Sequence, residues 1–314
     1  MMRLHKDEHA LIELTDAVNQ EKELPIAIVE KDYYVSLLLD NIQKSYPNII
    51  FKGGTSLSKC YKVIKRFSED IDINISKKGP TQGERKKLKN SILAAIDNSE
   101  MEIKNKNEIR SGRMFNKYEI GYHSIAKPIG SLKGTLLVES YVFSSSFPYE
   151  KLPVSNYILD YLRENDEQAI IESYGLDEFE INVQKIDRTF IDKIFAICDY
   201  YENNMSNRNS RHLYDLHKIW EIRAFNKYDF QELFVKVAIE RSTNHVNISA
   251  QNGYTIIRTL HNIIEDGFLK HDYTEITENL LFDGTNYETV IGSLTDILNS
   301  TLIPEVVNLY FVTK

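Results

Sequence analysis

Apolar positions recur at helical spacing over residues 6–21 and 25–45, and the second run opens on Pro25, a residue favoured in a first helical turn. The short run Ile49-Ile50-Phe51 reads as a strand that stops at Gly53-Gly54, and Ser56 to Lys65 reads as a helix. Asp70-Ile71-Asp72-Ile73-Asn74-Ile75 then alternates polar and apolar with a period of two, the signature of a half-buried strand. KKGPTQG (77–83) predicts a loop, followed by a helix to about Asn98. Further strands are predicted near 101–110, 114–123, 134–143 and 179–186, with a helix near 154–164. From Thr189 onward the pattern is helical, with breaks near 204–209, 224–227, 243–252, 269–273 and 283–285. The order predicts an α+β protein: a mixed-sheet domain over 1–187, then an α-helical bundle over 188–314.

Composition narrows the class. The chain of 314 residues is 42% hydrophobic and 27% charged, which excludes a disordered polyelectrolyte and fits a globular protein of two domains. No apolar run nears the roughly 18 residues of a membrane span. The charged opening MMRLHKDEHA has no secretion-signal core, so a cytoplasmic location is expected. Cys60 and Cys198 lie in amphipathic stretches at no metal-binding spacing and read as reduced, buried thiols. The net charge of −8 hides an asymmetry, because residues 52–133 carry +9 and the rest −17. A basic segment on an acidic chain can steer a polyanion. Arg85, Lys86, Lys87 and Lys89 could equally be the solvated face of a helix.

Candidate chemistry lies in FKGGTSLSK and FSEDIDI. On a strand, residues i and i+2 share a face about 7 Å apart, so Asp70 and Asp72 project together while Ile71, Ile73 and Ile75 face the other way. Two convergent carboxylates repel unless a cation lies between them, and hard oxygen ligands suit Mg²⁺. Gly53 and Gly54 leave the backbone free of Cβ atoms where a phosphate could approach, and Thr55 and Ser56 could cap the helix or donate to phosphate oxygens. Gly-x₄-Gly-Lys-[Ser/Thr] is absent, so this is not a Walker loop.

Together these stretches resemble the nucleotidyltransferases related to DNA polymerase β, and within them the AbiEii toxin family. VEKDYYVSLLL (29–39), RTFIDKIFAI (188–197) and RHLYDL (211–216) are similar to three further stretches of that family, in its order. The resemblance implies a polymerase-β-like nucleotidyltransferase fold in which Gly54 and Ser56 meet the nucleotide and Asp70 and Asp72 bind Mg²⁺. It further implies that Lys193 and Asp215 complete the site, although Asp215 could instead pair with Arg211 on its own helix and Lys193 could be solvated. Glu139, the sole acid in TLLVESYVF, is the candidate third metal ligand or else an edge-strand surface residue. Glu30-Lys31-Asp32 matches the family but reads as structural, and His212 and Tyr214 read as packing residues.

The implied reaction takes an NTP and an acceptor hydroxyl to an NMP adduct and pyrophosphate. The implied setting is a toxin–antitoxin, phage-defence system. Its acceptor would be RNA, in particular the tRNA 3′ end, and its partner an AbiEi-like winged-helix antitoxin encoded nearby. Transfer to a small molecule or protein, and a non-catalytic nucleotide-binding module, remain as alternatives.

Overall fold

The computed structural model describes residues 2–68, 70–77, 79–126, 134–143 and 145–310. The chain forms two compact units, one of residues 1–61 and 68–183, the other of 62–67 and 184–314. The division expected at 187/188 thus falls at 183/184, and six residues of the first region join the second unit.

In the first unit α1 (Glu8–Lys22) and α2 (Ile26–Ser45) lead into β1 (Ile49–Lys52), α3 (Gly53–Lys59) and β2 (Asp70–Ile75). There follow α4 (Gln82–Asn98), β3 (Glu102–Ile103), β4 (Phe115–Gly121), β5 (Thr135–Tyr141) and β6 (Tyr149–Val154). The helices α5 (Tyr157–Glu164) and α6 (Gln168–Tyr174) precede β7 (Phe179–Gln184). The seven strands form one mixed sheet in the order β3-β4-β5-β2-β1-β7-β6. Strand β2 runs antiparallel to β1 and parallel to β5. Pro153 lies in β6, an edge strand of the sheet, the position in which proline is tolerated.

One face of the sheet carries the core: Ile71, Ile73, Tyr118, Ile120, Leu136 and Val138 pack with the apolar sides of α1, α2, α4 and α5. The opposite face takes Asp70 and Asp72 from β2 and Glu139 from β5, as the period-two pattern requires. A capping box of Thr81 and Glu84 starts α4.

Three expectations are corrected, and two elements have none. The helix expected over 56–65 begins at Gly53 and ends at Lys59, because the backbone of 65–67 pairs with 280–282 instead: Phe67 N–H donates to the Leu280 carbonyl and Phe282 N–H to that of Lys65. The strand expected over 101–110 shrinks to Glu102–Ile103, since the side chains of Asn105 and Asn116 bond neighbouring backbone and hold the loop out of the ladder. The break expected at 269–273 is helical, and the chain turns earlier, at Gly267 with φ +58°. The short elements β6 and α6 have no expectation to match, the first interrupted by proline and the second only seven residues long.

In the second unit α7 (Ile186–Glu202), α8 (Arg211–Ile222), α9 (Lys227–Ser242), α10 (Ile256–Glu265), α11 (Lys270–Asp272) and α12 (Tyr287–Asn299) form a helical bundle. Phe190, Phe230 and Phe234 are buried in it, in ring contact with half-buried Phe225 and Trp220. Among the described residues no helix is long and apolar enough to cross a membrane.

A buried cation fixes the end of α3. Lys59 Nζ donates to the Asp32 carboxylate at 2.6 Å and to the Ser36 hydroxyl at 2.7 Å, and Asp32 also accepts the Tyr157 N–H that starts α5. Glu30, fully buried, accepts the Ser124 hydroxyl and the Ile125 N–H. Both acids therefore hold backbone in place. Removing Lys59 leaves Asp32 short of its cation, so Lys59→Ala should destabilise by about 3–5 kcal/mol. The readout is the denaturant midpoint at constant m. Lys59→Met combined with Asp32→Asn should recover part of the loss, and an unchanged midpoint in Lys59→Ala would refute the assignment.

Candidate active site

The turn from β1 into α3 is shaped by its neighbour on β2. Gly53 adopts φ +79°, a left-handed conformation in which a side chain is strained. A Cβ there would lie 2.1 Å from Oδ2 of Asp72 and 3.2 Å from its Cβ. The Asp72 carboxylate therefore occupies the space that glycine leaves open. Lys52 and Asp72 are register partners across β1 and β2, and Asp72 and Glu139 across β2 and β5. Lys52, Asp72 and Glu139 thus form a row on one sheet face, extended by Lys117, the register partner of Glu139 on β4.

The hydroxyls after the glycines face inward. Thr55 Oγ1 donates to the Asp70 carbonyl at 2.6 Å and lies 2.9 Å from the Ser68 hydroxyl. Ser56 Oγ donates to the Gly53 carbonyl at 2.8 Å. Both residues are fully buried, so the first ties α3 to β2 and the second closes the glycine turn. Neither caps the helix with a side-chain bond. Gly54 follows within the first turn of α3.

Glu139 stands beside Asp72, but its carboxylate lies 3.9 Å from Lys117 Nζ. Among the described residues no group of three His, Cys, Asp or Glu side chains converges as a metal site. Two adjacent carboxylates nevertheless fit Mg²⁺, which keeps several waters and takes the remainder of its shell from substrate phosphates.

The second unit brings Lys193 and Asp215 together. Lys193 Nζ donates to Asp215 Oδ2 at 2.5 Å, and Asp215 is fully buried. The partner that the sequence does not disclose is Arg66: its Nε and Nη2 grip the two carboxylate oxygens at 2.7 and 2.8 Å. The pairing considered with Arg211 is thus taken by Arg66, brought in by the 62–67 excursion. The sequence carries no signal for it: Arg66 stands just past the helix expected over 56–65.

Burial opposes ionisation of Asp215, but the Arg66 guanidinium and then the Lys193 ammonium hold its carboxyl well below the usual carboxylate range. Burial lowers the Lys193 pKa, and the Asp215 carboxylate beside it opposes that shift. His212, pushed well below its ordinary pKa by burial and then by Lys193, stays neutral and packs on Tyr200. Tyr214 donates to Asp283 and accepts the Lys65 N–H. Burial pushes the Cys60 thiol up to about 12, and Cys198 is raised for the same reason, so both are inert.

Two measurements check this geometry. Gly53→Ala should destabilise by about 1–2 kcal/mol through its φ alone, with a further loss from the displaced carboxylate. Asp72→Ala should relieve only that second part, so a double-mutant cycle should be non-additive. Additivity would mean that Asp72 does not fill the space over Gly53. For Asp215, a depressed folded pKa gives stability that is complete above the unfolded value of about 4 and is lost as pH falls towards the folded value. The stability gap between wild type and Asp215→Asn should therefore be widest near neutrality and narrow below about pH 4. A gap independent of pH would contradict the pairing.

No curated protein matches the chain. Among solved structures it is similar to MenT4, a nucleotidyltransferase toxin from Mycobacterium tuberculosis H37Rv, at 16% identity and a TM-score of 0.49, over 87% of this chain and 82% of that one. The family model described as nucleotidyl transferase AbiEii toxin, type IV toxin–antitoxin system, matches residues 37–292, which include both pairs of candidate groups. The chain belongs to the AbiEii family of nucleotidyltransferase toxins of type IV toxin–antitoxin systems.

Proposed function

We infer that the protein transfers a nucleoside monophosphate from an NTP to a hydroxyl of an RNA acceptor, specifically the 3′ end of tRNA. The acceptor oxygen bonds to the α-phosphorus, the bond from that phosphorus to the β-phosphate bridge breaks, pyrophosphate leaves, and the hydroxyl proton passes to solvent. The observation that carries this reading is the Asp72 carboxylate held beside Asp70 on one strand face and directly over Gly53.

Asp70 and Asp72 would hold Mg²⁺, with Glu139 as a third candidate ligand. Bound there, the ion supplies positive charge to the phosphates and acidifies the attacking hydroxyl. Gly53 and Gly54 let the backbone approach the phosphates, while Thr55 and Ser56 keep the turn in shape. Lys193 offsets the charge that develops on the leaving pyrophosphate, and Asp215 orients Lys193. The family setting supplies an antitoxin partner, for which a winged-helix AbiEi-like protein encoded nearby is proposed, and phage defence is the proposed purpose.

A small-molecule or protein acceptor is the second reading. It gains from one observation: Lys59 and Arg66, two of the cations in the basic segment, are consumed in buried ion pairs and cannot meet a polyanion. Labelled NTP offered separately to total RNA, lysate protein and metabolites separates the two.

Asp70→Ala and Asp72→Ala should each abolish transfer and toxicity while circular dichroism stays native. Transfer at the wild-type rate by a folded double variant would end the mechanism. Lys193→Ala should lose a charge-assisted contact of about 1.5–3 kcal/mol, or roughly 10- to 100-fold in kcat/KM per folded molecule. Lys193→Arg should recover only part, because a planar fork does not replace a point charge. Unaltered kinetics in Lys193→Ala would remove it from the reaction.

A further inference from the structure

The sheet face that bears Asp72 and Glu139 continues into an aromatic surface that the reaction described above does not use. Tyr141 lies two residues beyond Glu139 on β5, therefore on the same face and about 7 Å further along. Its register partner on β4 is Phe115, with ring centroids 6.4 Å apart, and Phe143 follows at 6.3 Å. Phe115 and Phe143 are each 43% exposed and Met114 is 37% exposed. Large apolar side chains left contiguous and wet mark a binding surface. Two cations border it, with Asp72 and Glu139 between them in the same row: Lys52 Nζ lies 5.2 Å from the Tyr141 centroid, and Lys117 stands one register step from Phe115.

We propose that Phe115, Tyr141 and Phe143 form a stacking platform for the unpaired terminal bases of the RNA acceptor, with Lys52 and Lys117 facing its phosphates. This rests on the acceptor reading above and deepens it. Flat aromatic faces beside ammonium groups recognise unpaired bases on a phosphate backbone, because every base has a π-face and every linkage an anionic charge. A free apolar peptide would use the rings but not the cations, and a paired duplex would present its bases to one another. The platform lies one side-chain step from the carboxylates, within reach of the ribose of a stacked terminal nucleotide.

The test uses the full-length protein and a short fluorescein-labelled single-stranded RNA, compared with the same strand closed into a blunt hairpin. Wild type should bind the single strand more tightly than the hairpin. Phe115→Ala and Tyr141→Ala should each weaken single-strand binding by about 5- to 150-fold, the usual worth of one base–aromatic stack, whereas Phe115→Tyr retains it. Hairpin binding should change little. A folded Phe115→Ala/Phe143→Ala variant with wild-type affinity for the single strand would overturn the proposal. So would a wild-type dimer that these substitutions convert to monomer, since the patch would then be a self-association surface. A rise in Tm with Mg²⁺ and NTP together reports the nucleotide site separately. If that rise and all transfer are lacking while single-strand binding still depends on the rings, the enzymatic reading has failed and the platform stands. If the rise is present and the rings do not matter, the reverse holds.

Discussion

The contact between a carboxylate and a bare Cα governs the first unit. Asp72 can stand over Gly53 only because residue 53 has no side chain and accepts a positive φ. Its neighbour Asp70 shares the arrangement through the strand period, and Thr55 fixes α3 to that strand by bonding the Asp70 carbonyl. Lys59 then anchors the far end of α3 to α2 and α5 through Asp32. A seven-residue helix too short to persist alone is therefore held at both ends, and the acidic pair inherits its rigidity.

The second unit solves a different electrostatic problem. Asp215, fully buried, is met by two cationic side chains, Arg66 and Lys193. Burying three ionised groups is costly, and the cost falls only because the guanidinium meets both oxygens and the ammonium takes one. Nearby His212, kept neutral, adds no further charge.

How far the fold and site were legible in the sequence depended on the range of the interaction. The alternation in DIDINI placed Asp70 and Asp72 on one face without any tertiary knowledge, since strand geometry is local. The helices of the second unit were legible for the same reason. What stayed hidden was set by distant partners. Arg66 meets a residue 149 positions away, and nothing in its neighbourhood announces that. Thr55 and Ser56 looked like ligand donors because a hydroxyl in sequence does not reveal that a carbonyl will claim it. The charge of the basic segment was counted correctly, but Lys59 and Arg66 belong to the interior, so formal charge overstated the cationic surface. The stacking surface required register, which pairs Phe115 with Tyr141 across two strands whose sequences do not mention one another.

The six-residue excursion has a consequence for dissection. Because residues 62–67 belong to the helical unit, neither unit is a single continuous stretch of chain. A fragment beginning at residue 184 would carry Asp215 and Lys193 but lack the arginine that grips that carboxylate, and the backbone of 280–282 would lose the partners supplied by Lys65 and Phe67. A fragment ending at residue 183 would instead retain a stray cationic segment with no acid to receive it. Modular exchange by cutting and joining is therefore blocked between these units, and the two halves of the chain are bound to be inherited together.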